Sequence, residues 1–314
     1  MRCARTRARP PRGWPPRRTS ATASASWSRR RATRMPADAF AELRRPLPVW
    51  TPRAWRFAAL RAAARAGALL SDGLRTGYRH GFDSGPFMAH VYANRPSGRS
   101  ALGRAVDRRL LERRTCVAFR EIRALAEVAV RDAIDAAGAR EPLVADLAAG
   151  PAPYLLRALA ERPSARALVC DIDEAALAAA RAAAGELGVG DRVRFARADA
   201  FDRAALSAVR PVPDVVVELG LYGIYHDDEL IERHFRELVE LVGPKQVVFN
   251  VQTRNPEIEH IARVWRNAAG ERCVWRLRPL EQILGYAAAA GYRPAWVRAD
   301  RFGIYRVARL ERSP

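Results

Sequence analysis

Acidic and small residues follow three successive predicted strands, at the points where those strands end. Asp146 ends the first strand, and Gly150 follows it in a turn of small residues. Asp171 ends the second strand, and Asp199 with Ala200 ends the third. Because the carboxyl ends of the strands of a doubly wound sheet form its ligand crevice, we expect these residues to lie close together. Their order predicts a pocket for a nucleoside.

Each of the three positions also has a plainer interpretation. Small residues around Gly150 would let a ligand approach the backbone, but they also suit a tight turn in any doubly wound protein. Asp171 could accept hydrogen bonds from ribose hydroxyls or cap the next helix, although Asp173 is better placed as that cap. Asp199 could accept from the exocyclic amine of a base or belong to a surface turn. Three such positions in register favour the nucleoside pocket.

The elements that would position these residues alternate between strand and helix. Near-continuous apolar runs are typical of strands buried on both faces, and helical spacing of apolar residues marks segments between them. We predict an α/β fold: a Rossmann-like, doubly wound, seven-stranded sheet with a C-terminal antiparallel β-hairpin and an N-terminal helical lobe. The predicted strands are 143–146, 167–171, 193–198, 213–219, 246–252, 295–298 and 304–310, and the predicted helices are 56–70, a short one within 78–99, 107–137, 153–162, 174–187, 227–242, 258–267 and 280–290.

Charge divides the chain into a tail and a body. The net charge is +20, and residues 1–37 contribute eleven arginines and no acidic residue. This tail is too poor in apolar residues to build a core, so we predict that it is disordered. It could contact nucleic acid or anionic lipid, it resembles a transit peptide, or it precedes a native start at Met35, which we favour. We predict a helical lid at 38–138 and a ligand-binding domain at 139–314.

Several classes of site are disfavoured by the composition. The four cysteines and five histidines have no metal-ligand or disulfide spacing, so we predict no metal site. No apolar run is long enough to span a bilayer. These features predict a cytoplasmic protein without a membrane span.

The stretch from Asp146 to Ala200 resembles the class I S-adenosylmethionine-dependent methyltransferases, and the resemblance covers roughly residues 140–310. It implies S-adenosylmethionine as the cofactor and methyl transfer as the activity. Where the family usually has three alternating glycines, this chain has Ala148, Gly150 and Ala152. The resemblance implies contacts to the methionine moiety by Asp146, Ala148 and Gly150, to the ribose by Asp171, to the adenine by Asp199 and Ala200, and toward the substrate side by Glu218, Leu219 and Gly220.

A narrower resemblance rests on segments outside the strand ends. The segments DSGPFMAHVYANRPSGRSALGRAVDRR, VWRNAAGERCVWRLRP and FGIYRVARL resemble a bacterial group of methyltransferases that is sometimes fused to an α/β-hydrolase. This resemblance implies no particular methyl acceptor.

Methyl transfer from a sulfonium requires the acceptor atom to be held in line and water to be excluded. A general base helps only when the acceptor starts protonated. After the fourth strand, His226 is a candidate base, and Tyr222 and Tyr225 could shape the acceptor pocket. Alternatively, Asp227 or Asp228 caps the next helix and His226 is an exposed loop residue.

Other polar residues could line the acceptor pocket. Asn250 and Gln252 end the fifth strand and could face the acceptor, or could satisfy backbone groups there. Tyr92 and Asn94 precede the long predicted helix and could close over the ligand, or could belong to ordinary loop packing. Trp275 has apolar flanks that predict a core position.

Four functions stay open from the sequence. The first is methylation of a small-molecule or lipid-like acceptor, and the second is methylation of RNA or DNA. The fourth predicted strand ends without the Asn/Asp-Pro-Pro-aromatic motif that would hold the exocyclic amine of a base. The third is an NAD(P)-dependent oxidoreductase, although the first turn lacks G-x-G-x-x-G and Lys245 is the single lysine. The fourth is a cofactor-binding module without catalysis. The sequence leaves the oligomeric state open.

Overall fold

A seven-stranded sheet organises the part of the chain that the structure, a computed structural model, describes, which is residues 37–313 with side chains from residue 40 onward. The strand order is β3-β2-β1-β4-β5-β7-β6, with β1 to β5 parallel and β7 antiparallel to both β5 and β6. The strands are β1 (Leu143–Asp146), β2 (Arg166–Asp171), β3 (Val193–Arg197), β4 (Val215–Glu218), β5 (Gln246–Gln252), β6 (Tyr292–Ala299) and β7 (Tyr305–Arg312). This arrangement confirms the predicted fold class.

Helices precede the sheet and connect its strands. The described helices are α1 (Ala37–Arg44), α2 (Pro52–Ala68), α3 (Asp72–His80), α4 (Gly85–Ala93), α5 (Ala101–Leu111), α6 (Arg114–Ala136), α7 (Pro153–Ala160), α8 (Glu174–Glu186), α9 (Arg203–Ser207), α10 (Leu221–Ile224), α11 (Asp228–Glu237), α12 (Ile258–Val264) and α13 (Leu280–Ala289). Asp173 caps α8 and Asp227 caps α11, each with a side-chain oxygen that accepts from the helix, as the sequence predicts.

The core lies on both faces of the sheet because alternate strand residues point in opposite directions. Val144 and Val215 pack with α6, α7 and α8 on one face. Ala145 and Val216 pack with α9, α11 and α13 on the other face. The sheet is therefore covered on both sides, and its carboxyl edge remains as the place where a ligand can enter.

The helical region before the sheet differs from the prediction in two places. A single helix over 107–137 is wrong, because Glu112 and Arg113 separate α5 from α6. The segment 78–99 is more helical than predicted: it contains the end of α3 and all of α4. Serine side chains, Ser71 and Ser84, cap these two short helices, a local signal that the sequence analysis did not use.

The predicted disorder of residues 1–37 lies outside the described residues except at its last position, and the division at residue 138 stays a prediction. Within residues 37–313, no helix combines the length and the apolarity that crossing a bilayer requires.

Candidate functional site

A cavity of about 960 Å³ opens at the carboxyl edge of the parallel strands. Its volume lies near the top of the range of roughly 300–1,000 Å³ that is common for small-molecule pockets. The sheet side of its wall comes from the loops after β1, β2, β3 and β4 and from the end of β5, and the opposite side from α4 and α6. The cavity therefore brings together most of the strand-end residues that the sequence singled out. Those that line it are Ala148, Gly150, Asp171, Asp199, Ala200, Leu219, Gly220, Tyr225, Asn250, Gln252 and Tyr92.

The turn after β1 forms the floor of the cavity near the start of α7. Gly150 has φ +54° and Ala152 has φ +47°, both in the left-handed region that glycine tolerates best. A Cβ atom added to Gly150 would point into open space. A side chain there would narrow the cavity, so the bare backbone at Gly150 leaves room for a ligand to approach closely.

Asp171 connects the turn after β1 to the turn after β2. Its Oδ2 accepts from the Gly150 amide at 2.7 Å, and its Oδ1 accepts from the Asp173 amide at 2.9 Å. Each carboxylate oxygen has a second lone pair, so the carboxylate can accept two further hydrogen bonds from the cavity. The adjacent Ile172 is 57% exposed although it is a large apolar residue, and it lines the same cavity. The pair gives this part of the cavity one polar and one apolar surface.

Asp199 and Ala200 line the cavity after β3. Asp199 is exposed, and its Oδ1 accepts from the Phe201 amide at 2.9 Å. Ala200 is buried and packs into the core beneath the loop. The Asp199 carboxylate thus retains acceptor capacity toward the cavity.

Asp146 lies beneath the first turn and does not line the cavity. Tyr154 donates a hydrogen bond of 2.7 Å to its Oδ2, while its Oδ1 is buried without a partner among the described residues. Burial raises the pKa of the Asp146 carboxyl to about 8, although the Tyr154 hydroxyl opposes this shift. Asp146 is therefore largely protonated at neutral pH.

Asn250 and Gln252 are buried at the end of β5 and line the cavity beside the loop after β4. The Gly220 amide donates to Asn250 Oδ1 at 2.7 Å, which ties that loop to β5. Gln252 Nε2 has no hydrogen-bond partner in the described part of the chain. A buried amide donor without a partner on a cavity wall is a group that a bound ligand could satisfy.

The wall formed by α4, α6, Trp275 and the start of β7 is mainly apolar and aromatic. Phe119 stands 5.8 Å from Trp275 and 5.7 Å from Tyr305, measured between ring centroids. Burial raises the pKa of Tyr92 to about 12, and the guanidinium of Arg123 lies 5.0 Å from the centre of its ring. All five of these side chains line the cavity. Trp275 is half-buried: it packs against the core, in line with its predicted position, and it also lines the cavity.

Glu218 and Tyr222 do not reach the cavity. Both are fully buried, and the Tyr222 hydroxyl donates to one Glu218 oxygen while His234 Nε2 lies 2.5 Å from the other. The Tyr222 ring packs 5.5 Å from Phe235 and 5.7 Å from Phe249. Burial alone would lower the pKa of His234, but the Glu218 carboxylate outweighs it and leaves that pKa raised. Glu218 and Tyr222 therefore support the loop after β4 from below.

His226 lines a second cavity, of about 520 Å³, which shares Asp83, Ile224 and Trp275 with the first. Its Nε2 lies 2.7 Å from the Val274 carbonyl oxygen. Burial and nearby arginines lower its pKa, although the Val274 carbonyl opposes this shift. His226 is thus tied to the backbone beside the main cavity and does not face it.

Asn94 also lies off the cavity. It is exposed, and it ends α4 in a left-handed conformation with φ 48°. Asparagine tolerates that conformation better than most residues, so its role in this structure is to terminate the helix.

Several cavity residues escaped the sequence analysis, among them Tyr154, Ile172, Phe119 and Arg123. A local signal existed for Ile172. It is a large apolar residue that directly follows the acid at the end of a strand, so it lies outside the strand. Phe119 belongs to the apolar stripe of α6, and such a stripe does not reveal which of its members borders a cavity. Arg123 carried no sequence signal among so many arginines.

The parallel order of β1 to β5, the antiparallel β7 and the carboxyl-edge cavity define the architecture of class I methyltransferases. The model of the family described as "Putative methyltransferase" matches residues 17–312. The chain belongs to this family, within the class I S-adenosylmethionine-dependent methyltransferases.

Known proteins resemble the chain in sequence and in fold. It is 30% identical over 260 residues to "Uncharacterized protein YnbC" of Escherichia coli (strain K12), a match that covers 81% of this chain and 44% of that protein. The chain thus spans less than half the length of this relative. The predicted occurrence of such chains fused to an α/β-hydrolase stays a prediction.

Two solved structures share the fold. One is a possible exported protein from Bordetella parapertussis, with a TM-score of 0.57, 17% identity and coverage of 84% of this chain and 100% of that one. The other is magnesium protoporphyrin IX methyltransferase from Synechocystis PCC 6803 with bound SAH, with a TM-score of 0.52, 15% identity and coverage of 75% and 98%. These likenesses concern the fold alone.

Proposed function

We propose that this protein is an S-adenosylmethionine-dependent methyltransferase that acts on a small-molecule or lipid-like acceptor. The observation that carries the proposal is the cavity at the carboxyl edge, where Asp171 and Asp199 face the same space as the small-residue turn at Gly150. Membership in the methyltransferase family supports the reaction class.

The residues present fit an adenosyl cofactor. Asp171 has acceptor capacity for the two ribose hydroxyls, and Ile172 offers an apolar surface to a flat base. Asp199 can accept from the adenine amine. The backbone at Gly150 leaves room for the chain that joins ribose to methionine. Asp146 acts from beneath the turn by holding Tyr154 in the cavity wall.

The acceptor belongs on the side of the cavity opposite the ribose. Phe119, Trp275, Tyr305 and Tyr92 give that side an apolar, aromatic surface, which suits a small molecule with an apolar body. Gln252 contributes the unpartnered Nε2 donor, which would orient an oxygen atom of the acceptor. The same surface excludes water from the reacting atoms.

The cofactor would supply an activated methyl group on a positively charged sulfur. The chain's own contribution is to bind both reactants and hold the acceptor atom in line with that methyl group. Asn250 would fix the loop after β4, because its side chain accepts from the Gly220 amide. Tyr225 follows in the same connection and would contribute its ring to the cavity wall. His226 would not act on the acceptor directly, because it faces the second cavity.

Isothermal titration of the full chain with S-adenosylmethionine, SAH and NADH tests the proposal. We expect one molecule of either adenosyl compound to bind per chain and NADH not to bind. Binding of NADH, or of none of the three, would contradict the proposal.

The variant Asp171→Asn tests the ribose contact. A hydrogen bond to a charged group contributes about 1.5–3 kcal/mol, so we expect the affinity for SAH to fall by about 10- to 100-fold. The matched control is Asp202→Asn, which alters the acid that caps α9 after β3 and does not line the cavity. Circular dichroism of both variants should match that of the unaltered chain. Unchanged affinity in Asp171→Asn would mean that the ribose lies elsewhere.

A further inference from the structure

Arg123 is a cation in the cavity wall. Its guanidinium lies over the Tyr92 ring, with 5.0 Å between the guanidinium carbon and the ring centre. Its Nε is buried and has no hydrogen-bond partner among the described residues. Arg131, two turns later in α6, pairs with Glu127 and Glu161 at 2.9 Å. No such ion pair to Arg123 is formed by any side chain of residues 40–313.

Arg123 and the start of α7 lie at about the same distance from the carboxyl edge of the sheet, measured along the direction of the two helices. Ion pairs join Arg131 to Glu161 and Asp135 to Arg162, where α7 ends. Both helices run away from the carboxyl edge, because α6 ends shortly before β1 begins and α7 follows the end of β1. Arg123 precedes Arg131 by eight residues, which is about 12 Å of helix. The eight residues of α7, which starts at Pro153, span a similar length. Arg123 therefore lies beside the start of α7.

The surroundings of Arg123 favour an anion. The first backbone amides of α7 and its dipole present positive charge to the same end of the cavity. Asp171, Asp173 and Asp199 line the cavity at or just after the ends of β2 and β3, farther from α6 in the strand order. Asp83, which lines the cavity before α4, accepts from the Ala268 amide at 3.0 Å. A guanidinium binds a carboxylate through two parallel hydrogen bonds, and Tyr92 would hold its plane in place.

We propose that Arg123 binds the carboxylate of the methionine moiety of S-adenosylmethionine, and so selects adenosyl compounds that carry an amino-acid tail. This inference rests on the proposed function. It adds to the methionine end of the site a charged contact that the turn after β1 does not supply. It would supply a specific contact at the methionine end in a chain whose first turn has alanines at two of the three positions where the family usually has glycine.

The test compares two ligands by isothermal titration of the full chain. SAH carries the amino-acid tail, and 5′-methylthioadenosine has the same adenosyl thioether without it. We expect Arg123→Met to lower the affinity for SAH by about 10- to 100-fold, the range of a charge-assisted hydrogen bond, and to leave the affinity for 5′-methylthioadenosine within about twofold. Arg123→Lys, which keeps the charge but not the two-pronged geometry, should lie between them.

Arg157→Met is the matched control, because Arg157 also lines the cavity but is exposed. The assignment is overturned if Arg123→Met weakens both ligands equally, if it weakens neither, or if the loss specific to SAH appears in Arg157→Met alone. Failure of the unaltered chain to bind either ligand would instead contradict the proposed function. Thermal melting of each variant verifies that the fold is intact.

Discussion

Asp146 is a carboxyl group that the fold holds out of water. The unfolded chain ionises it near pH 4, whereas burial raises its folded pKa to about 8. Between those values the folded state binds one proton more than the unfolded state, so this group lowers stability as pH rises. Its contribution is unfavourable at neutral pH and is smallest under acidic conditions.

The variant Asp146→Asn should remove this pH dependence. We expect the free energy of unfolding of the variant, relative to the unaltered chain, to rise between about pH 5 and pH 8 by up to about 1.4 kcal/mol per pH unit. Urea unfolding at several pH values measures it. Asp191→Asn, which alters an exposed carboxylate, is the control and should show no such trend. Parallel pH profiles for Asp146→Asn and the unaltered chain would contradict the raised pKa.

At the residue scale, the positions of side chains at strand ends could be predicted from the sequence better than those of side chains in loops. Asp171 and Asp199 were predictable because a strand of known direction fixes where its last residue lies. Tyr222 and His226 were not, because their positions depend on α10, a four-residue helix that turns Tyr222 into the core. Nothing in the local sequence states which way so short a helix faces.

The start of α6 is held by a residue far along the chain. Arg113 precedes the helix without a side-chain cap of its own. Instead, Glu257 Oε2 accepts from the Thr115 amide at 2.9 Å and from the Thr115 hydroxyl at 2.8 Å, and its Oε1 pairs with Arg113 at 2.9 Å. This long-range cap explains why local patterns predicted one continuous helix across the break.

The variant Glu257→Gln should destabilise the protein by about 1–2 kcal/mol, because it removes a charged cap from the positive end of a long helix. Urea unfolding at neutral pH measures the change. Glu240→Gln is the control: Glu240 forms an exposed ion pair with Arg203, and its loss should change stability by less than about 0.5 kcal/mol. Equal, small effects of the two substitutions would show that Glu257 does not cap the helix.

On the scale of the molecule, α6 belongs to the core of the sheet as much as to the helices before it. It packs against β5, β7 and α7, and the Gln246 side chain donates to the Ala133 carbonyl at 2.8 Å. The same helix supplies Phe119 and Arg123 to the cavity. A boundary at residue 138 therefore separates residues that share one core and one cavity wall.

A fragment of residues 139–314 should consequently fail to fold. Loss of α6 removes buried Phe119, Ile122, Val130 and Ile134, each of which contributes about 1.5–3 kcal/mol. Their sum is comparable to the entire stability of about 5–15 kcal/mol that is usual for a domain. Thermal melting followed by circular dichroism measures this, with residues 37–314 as the control. Cooperative melting of the shorter fragment would contradict the shared core.

The central claim is that an adenosyl cofactor occupies the carboxyl edge of the sheet. A crystal structure of the full chain grown with SAH tests it most directly. The account predicts electron density for SAH across the ends of β1, β2 and β3, with the ribose hydroxyls within hydrogen-bonding distance of Asp171 and the adenine against Ile172. Density for SAH at any other place, or an empty edge at a saturating concentration of SAH, would contradict it.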